Sequence, residues 1–481
     1  MSMPKTIGLF LGPLFFVLVH LVFPDDALDR NALCVLAVAC WMVTWWITEA
    51  VPIPVTSLLP ILLFPMLGIL DIKESTASYA HPIIFLFLGG FLIALALEKR
   101  NLHKRFALSL IKITGTKPNG IILGFMLATA FLSMWISNTA TTVMMLPIAL
   151  SVIQLTSNRS ESISITKKGL NKFSISLLLG IAYAANIGGM ATIIGTPPNV
   201  VLVGFYDTLY GGQISFTQWM AFGLPIATIL LFVCYYILVH WIYPNKVKNF
   251  DGIQTEIHEQ LIDLGKFSST EKKVAVVFIL TAIGWIIRQP LNNMLGSPVL
   301  NDTIIALMGG ILMFLVPVDL KNQEFILSWK DTRSLPWGIL LLFGGGLTLA
   351  SAMESVGIIK LIVNQFEAME IKDHLFLLIG LTFVMLFMTE LMSNVAITTI
   401  FLPVVMALAV SLNLSPLYFA ITVTLASSCA FMMPISTPPN AVVFSSGHIH
   451  MNHMLKAGIF LNIIAATVII ICFYLMRSII I

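Results

Sequence analysis

Charge is scarce in this sequence. Lys, Arg, Asp and Glu make up 10% of its 481 residues, where a water-soluble chain carries about 25%. A net charge of +3 gives no basic face for a nucleic acid, so none is expected as a partner. Metal-binding spacings are missing too. The five cysteines, Cys34, Cys40, Cys234, Cys429 and Cys472, lie singly in apolar stretches and read as small core residues. There is no His-Glu-x-x-His, no nucleophile elbow and no paired Asp at a plausible active site, so the chain is not read as an enzyme. What fills the space is apolar. Hydrophobic residues make up 58% and the mean hydropathy is +0.95. About eleven stretches reach the roughly 20 residues that a membrane-crossing helix needs. The sequence therefore predicts an all-α polytopic protein of the cell membrane. No cleavage site precedes Pro24, so the N-terminal apolar run is read as an uncleaved first span over 1–30.

Lys and Arg set the topology. Lys99, Arg100, Lys104, Arg105, Lys112 and Lys117 crowd one connection, and Arg159, Lys167, Lys168 and Lys172 crowd another. Both are expected in the cytoplasm, with the N-terminus inside and the C-terminus outside. The apolar stretch between them then enters and leaves on one side. Its only polar break is Ser137-Asn138-Thr139, inside WISNTATTVMM. A re-entrant hairpin over about 118–156 fits, with its tip buried in protein where irregular backbone is tolerated.

The same device occurs twice. LMSNVAITTIFLP (391–403) matches ISNTATTVMMLP at a constant offset of 256, pairing Ser137, Asn138, Ala140, Thr142 and Pro147 with Ser393, Asn394, Ala396, Thr398 and Pro403. Upstream, FLFLGGFLIALALE and LLLFGGGLTLASAME match at the same offset. Downstream, GTPPN and STPPN match at an offset of 241, bringing Pro197, Pro198 and Asn199 onto Pro438, Pro439 and Asn440. Five spans per copy make the second copy inverted. Repeat 1 is drawn over 31–243, with a broken helix near 173–206. A cytoplasmic linker with an amphipathic helix covers 244–273. Repeat 2 covers 274–481, with a hairpin near 374–412, a broken helix near 417–445 and a last span. Inverted repeats with broken helices at mid-depth are the architecture of secondary transporters.

Each half supplies a Ser-Asn tip and a Pro-Pro-Asn break. Tandem proline cannot continue a helix. Half-helix N-termini suit an anion, and unwound carbonyls suit a hard cation such as Na⁺. Four breaks build one anion site flanked by two Na⁺ sites.

These motifs, with WWITEAVPIPVTSLLP near the start, resemble the divalent anion/sodium symporter family over nearly the whole chain. The resemblance implies eleven spans plus two re-entrant hairpins, a homodimer, and an elevator mechanism in which a transport domain moves against a scaffold. It implies Na⁺-coupled import of C4-dicarboxylates such as succinate, malate or fumarate, through at least two Na⁺ sites. Citrate or sulfate symport, dicarboxylate exchange and an anion channel are the competing readings. By residue match, one Na⁺ site uses Ser133, Ser137, Asn138 and Gly195. The other uses Thr389, Met392, Asn394 and Ser436. The dicarboxylate meets Asn138, Thr139 and Thr196 on one side, and Ser393, Asn394, Val395, Thr437 and Pro438 on the other. Val395, where the first tip has Thr139, departs from the Ser-Asn-Thr pattern and bears on substrate choice.

Blander readings compete at single residues. A lone Ser-Asn-Thr is commonly interhelical glue, but duplication at a fixed offset argues against that here. Gly89-Gly90 and Gly344-Gly345-Gly346 read as packing surfaces, and His448, His450 and His453 as an interfacial loop. Glu390, four residues before Asn394, reads as paired inside its domain in preference to relaying protons.

Overall fold

The computed structural model describes residues 3–22, 29–115, 117–160, 167–245, 253–368 and 374–475. Ten helices among them are long and apolar enough to cross a membrane, and five shorter apolar helices accompany them. Three of the five shorter ones fall where the sequence expects broken or re-entrant elements. They are Pro118–Ser133, His374–Met388 and Pro416–Ser427. The single β element is a two-stranded hairpin, Pro317–Asp319 with Glu324–Phe325. Arg100 holds it by donating to the Phe325 and Ile326 carbonyls and to Glu324.

Burial is graded across the molecule. In Asn171–Gly189, 94% of residues are buried, against 11% in Lys5–Val22. The first lies at the centre and the second presents its apolar side chains outward. In a bilayer an outward apolar face is solvated by lipid, so it needs no protein partner.

The expected hairpins and breaks form. The first hairpin runs through Pro118–Ser133 and Asn138–Ser160, the second through His374–Met388 and Asn394–Ser411. The first broken helix stops at Gly189 and restarts at Pro197, ending at Tyr210. The second stops at Ser427 and restarts at Pro438, ending at Ser445. In both, the two prolines occupy the first turn of the restarting segment. Proline is tolerated there because the first turn has no intrahelical acceptors for its N–H groups.

The glycine pairs are packing surfaces. A Cβ on Gly89 would lie 2.5 Å from the Ala306 backbone, and one on Gly345 would collide with the Ser57 carbonyl. These two glycines stand at the same position of the two matched motifs, and each lets one helix touch another backbone to backbone.

Two connections differ from expectation. The basic stretch after Glu98, expected as a loop, contains the amphipathic helix Leu102–Ile113, and the mixed-charge stretch after Glu354 contains a second, Ile358–Glu367. Leu102, Ala107, Leu108 and Ile111 are buried, while Lys104 and Arg105 are half-buried and Lys112 is exposed. The charge of these three hid the apolar positions. The linker also ends earlier than 273, because the next long helix starts at Ser269 with Ser268 and Glu271 forming a capping box. The linker's own helix is Ile253–Asp263. Arg105 bonds Glu271 at 2.7 Å and the Leu264 carbonyl at 3.0 Å, tying the first amphipathic helix to the linker's end. The basic connection around 161–166 lies outside the described residues.

Candidate functional site

The site is built from the breaks inward. Asn199 and Asn440, fully buried, reach back over the breaks that precede them. Asn199 Nδ2 donates to the Gly189 carbonyl at 3.1 Å and the Thr192 carbonyl at 2.7 Å. Asn440 Nδ2 donates to the Ala430 and Met433 carbonyls, both at 3.0 Å. All three positions correspond at the offset of 241. The two asparagines therefore pin the unwound backbone by bonding its buried carbonyls. Neither lines the cavity described below.

The hairpin tips supply oxygen clusters. Ser133 Oγ lies 2.5 Å from Asn138 Oδ1 and 2.8 Å from the Ala185 carbonyl oxygen. Thr389 Oγ1 lies 2.7 Å from both Asn394 Oδ1 and the Ser427 carbonyl oxygen. A hydroxyl has one proton to donate, yet each of these faces two acceptors. Each cluster thus holds more lone pairs than protons, the donor set of a hard cation. Gly189 makes room beside the first. A Cβ there would sit 2.7 Å from Asn138 Oδ1 and 3.1 Å from the Gly195 carbonyl oxygen.

Between the clusters lies a cavity of about 760 Å³. Asn138, Pro197, Asn394 and Pro438, the first residues of four helices, all line it. Helix N-termini carry about half a positive charge each, and the two that begin at Asn138 and Asn394 also offer first-turn N–H groups, which the Pro-Pro ends lack. No Lys, Arg or His is among the lining residues, and the one ionisable group is Glu49 at the rim. The far wall is apolar, with Phe87, Phe91 and Leu342. An anion here meets hydroxyls, amides and helix ends instead of cationic side chains.

Glu390 sits behind the second cluster and is 3% exposed. Its Oε1 accepts from the Phe431 N–H at 2.7 Å, the Met432 N–H at 2.9 Å and Asn462 Nδ2 at 2.7 Å. Its Oε2 accepts from the Met433 N–H at 3.1 Å and Ser436 Oγ at 2.7 Å. Four of these partners, the three backbone N–H groups and the Asn462 amide, can only donate, while the Ser436 hydroxyl also lies 2.6 Å from the Met433 carbonyl oxygen. Glu390 is paired inside its domain and braces the second break.

All eight residues expected around the substrate line the cavity: Asn138, Thr139, Thr196, Ser393, Asn394, Val395, Thr437 and Pro438. Of those expected around Na⁺, Ser137, Gly195 and Ser436 line it as well, while Ser133 and Thr389 stand one step behind, against the asparagine oxygens. Met392 is not among the lining residues. Ser137 Oγ accepts from the Ala140 N–H at 3.2 Å, and the Ser436 hydroxyl is engaged with Glu390. Sequence reasoning missed Asn186, which lines the cavity, and the Ala185 and Ser427 carbonyls. A carbonyl's role carries no residue signature. Asn186 offered only its place on the helix ahead of the first break.

Comparison with known proteins follows the same outline. The profile of the sodium:sulfate symporter transmembrane region matches residues 5–480. The sodium-dependent dicarboxylate transporter SdcS of Staphylococcus saprophyticus is 40% identical over 474 residues, 98% of this chain and 91% of that protein. The protein of the same name in Staphylococcus aureus is 40% identical over 484 residues, 100% of this chain and 92% of that protein. Among solved structures, the YdaH transporter of Alcanivorax borkumensis aligns with a TM-score of 0.59 at 13% identity, covering 94% of this chain and 98% of that one. Neisseria gonorrhoeae MtrF aligns with a TM-score of 0.57 at 12% identity, covering 86% and 83%. At such identities these two speak for the fold alone.

Proposed function

The chain belongs to the sodium:sulfate symporter family, and on that premise we propose that it is a Na⁺-dependent transporter of dicarboxylates, the activity for which its 40% identical relatives are named. The observation that carries this reading is the paired arrangement of the tips. Two oxygen clusters rich in lone pairs flank one cavity that four helix N-termini enter. Na⁺ is co-transported substrate in this scheme, one ion at Ser133, Asn138 and the Gly195 carbonyl, another at Thr389, Asn394 and the Ser436 carbonyl. One carboxylate meets Asn138, Thr139 and Thr196. The other meets Asn394, Ser393 and Thr437. Burying a dianion with no cationic side chain costs several kcal/mol per charge. Hydrogen bonds to charged groups return about 1.5–3 kcal/mol each, and neighbouring Na⁺ supplies the rest. That division explains why substrate and ion move together.

The finer reading is import of C4-dicarboxylates by a homodimer, the tip-and-break domain moving against the rest as an elevator. Pro336 and Gly338 at the cavity rim adjoin the Trp329–Ser334 turn, whose Asp331 pairs with Lys99 at 2.7 Å. Lys99 belongs to the stretch that the positive-inside rule assigns to the cytoplasm, so the cavity opens inward and the N-terminus is cytoplasmic. Sulfate stands second, because the family description names it. The test is radiolabelled succinate uptake into proteoliposomes under an imposed Na⁺, K⁺ or proton gradient, with citrate and sulfate as competitors. Accumulation is expected under the Na⁺ gradient alone. Equal uptake in Na⁺-free choline or K⁺ buffer, at neutral and acid pH alike, overturns the proposal.

A further inference from the structure

Asn186 is the one cavity-lining residue of the first broken helix's leading segment, and its side chain crosses to the other half. Its Nδ2 donates to the Ala430 carbonyl at 3.3 Å and to Thr437 Oγ1 at 3.2 Å. Ala430 O can only accept, so the amide nitrogen must be the atom facing it. Thr437 Oγ1 therefore accepts from Asn186. It also accepts from the Asn440 N–H at 3.4 Å, as the cap of the restarting helix. A hydroxyl has two lone pairs and one hydrogen. With both lone pairs facing donors, the Thr437 hydrogen is turned away from them, and Thr437 lines the cavity.

The other half is not built this way. At the offset of 241, Ser427 stands where Asn186 would be. Ser427 Oγ donates to the Thr424 carbonyl at 2.8 Å and accepts from Thr398 Oγ1 at 2.8 Å. Thr196, the counterpart of Thr437, makes no side-chain capping bond. Its hydroxyl is free to rotate between donating and accepting.

We infer that Asn186 is a positioning residue for the anion: by occupying a lone pair of Thr437 it fixes that hydroxyl as a donor into the cavity, so that this end of the site takes a fully deprotonated carboxylate. The inference rests on the proposed contact between Thr437 and the substrate. A carboxylate oxygen accepts from a pre-aimed hydroxyl without the entropic loss of ordering a free rotor. A protonated carboxyl can turn only its carbonyl oxygen to that hydrogen, and this neutral acceptor binds it more weakly than the anion does. The two ends of the cavity thus differ. The Thr196 end accommodates either form, and the Thr437 end selects the anion.

A double-mutant cycle on succinate uptake in proteoliposomes tests this. Asn186→Ala is expected to raise KM about three- to tenfold with maximal rate and half-saturating Na⁺ within twofold of the parent protein. Thr437→Val is expected to raise KM about tenfold. Because Asn186 acts through Thr437, the double variant should match Thr437→Val alone, and Thr437→Ser should restore sensitivity to Asn186→Ala. Lowering the pH through the second succinate ionisation should raise KM in the parent protein and raise it less in Asn186→Ala. Single effects that multiply in the double variant overturn the assignment. So does a loss of maximal rate and thermal stability with KM unchanged, which would make Asn186 a brace only. Should Asn186→Ala fail to fold, Asn186→Ser, whose hydroxyl is too short to cross, goes through the same cycle. The parent protein is measured with and without Na⁺ in the same vesicles. Absence of Na⁺-dependent uptake there sinks the transport reading and this inference with it, whereas a multiplicative cycle with intact parent uptake sinks this inference alone.

Discussion

The two breaks follow one backbone plan and are held together by different chemistry. In the second, the N–H groups of Phe431, Met432 and Met433 converge on the Glu390 carboxylate. In the first, the corresponding residues are Met190, Ala191 and Thr192. There the Met190 and Ala191 N–H groups close short turns onto the Ile187 and Gly188 carbonyls. Met134 stands where Glu390 does, and its backbone carbonyl accepts from the Thr192 hydroxyl at 2.5 Å. The same two positions meet in both halves. One meeting is neutral and uses main chain. The other uses a buried negative charge. Duplication conserved the shape of the break and the oxygen cluster beside it, while the means of satisfying the unwound backbone diverged.

The largest effect should come from removing the charged brace. Glu390→Ala removes the acceptor of four donors that have no other, the Phe431, Met432 and Met433 N–H groups and the Asn462 amide, each worth about 1–3 kcal/mol when unsatisfied. Loss of uptake and a lower melting temperature in detergent are expected. Met134→Leu, a volume-conserving change that leaves the accepting carbonyl in place, is expected to cost under about 1.5 kcal/mol and to keep uptake near normal. Equal damage from both would mean the two breaks depend on side chains alike.

Next come the tips. Asn138→Ala and Asn394→Ala should each abolish uptake while the protein stays folded and monodisperse, since each removes an oxygen from a cation cluster and a group from the cavity wall. Normal uptake by either variant, at normal expression, would show that its half holds neither ion nor substrate through that side chain.

Smaller and more alike are the expected effects of Asn199→Ala and Asn440→Ala. Each loses two bonds to break carbonyls of matching geometry, about 1–3 kcal/mol in all. Melting temperatures should fall by similar amounts. A much larger fall for Asn199→Ala would mean that Glu390 shares the load in the second half.

The smallest effect concerns substrate choice. Val395→Thr restores at the second tip the hydroxyl that Thr139 has at the first. One added donor is worth about 0.5–1.5 kcal/mol, so the KM for succinate should fall by up to about tenfold relative to citrate and sulfate. Unchanged ratios across the three anions would place Val395 outside the substrate's reach.

How much of this was legible beforehand depends on whether side chain or main chain carried the information. The hairpins and breaks were readable because Ser-Asn and Pro-Pro-Asn interrupt apolar runs, and because they recur at fixed offsets. The eight residues expected around the substrate came from residue match to the family at those motifs, and all of them line the cavity. The amphipathic helix Leu102–Ile113 was not readable by composition, because Lys104, Arg105 and Lys112 masked the apolar residues Leu102, Leu108 and Ile111. The Ala185 and Ser427 carbonyls were invisible in principle, since any residue supplies one. Asn199 and Asn440 were noticed for their polarity, but the direction in which they point, into the break and away from the cavity, is a property of the fold. Glu390 could be placed near a tip. Its five donors come from two other segments, 431–436 and Asn462, that only tertiary structure brings together.

A cavity walled by helix ends and hydroxyls, with no Lys, Arg or His, also sets how the membrane voltage acts on the cycle. A group fixed in the protein makes equal and opposite contributions to the outward and return strokes. The remaining charge is that of the cargo. A dianion with two Na⁺ sums to zero, and the resting potential then does no work on the loaded carrier. Each further Na⁺ adds one positive charge to the inward stroke, worth about 2.3 kcal/mol per 100 mV. Current per succinate therefore counts the ions beyond two. A fixed cation in the wall would have been carried inward with the cargo and dragged back on every return, leaving that count unchanged.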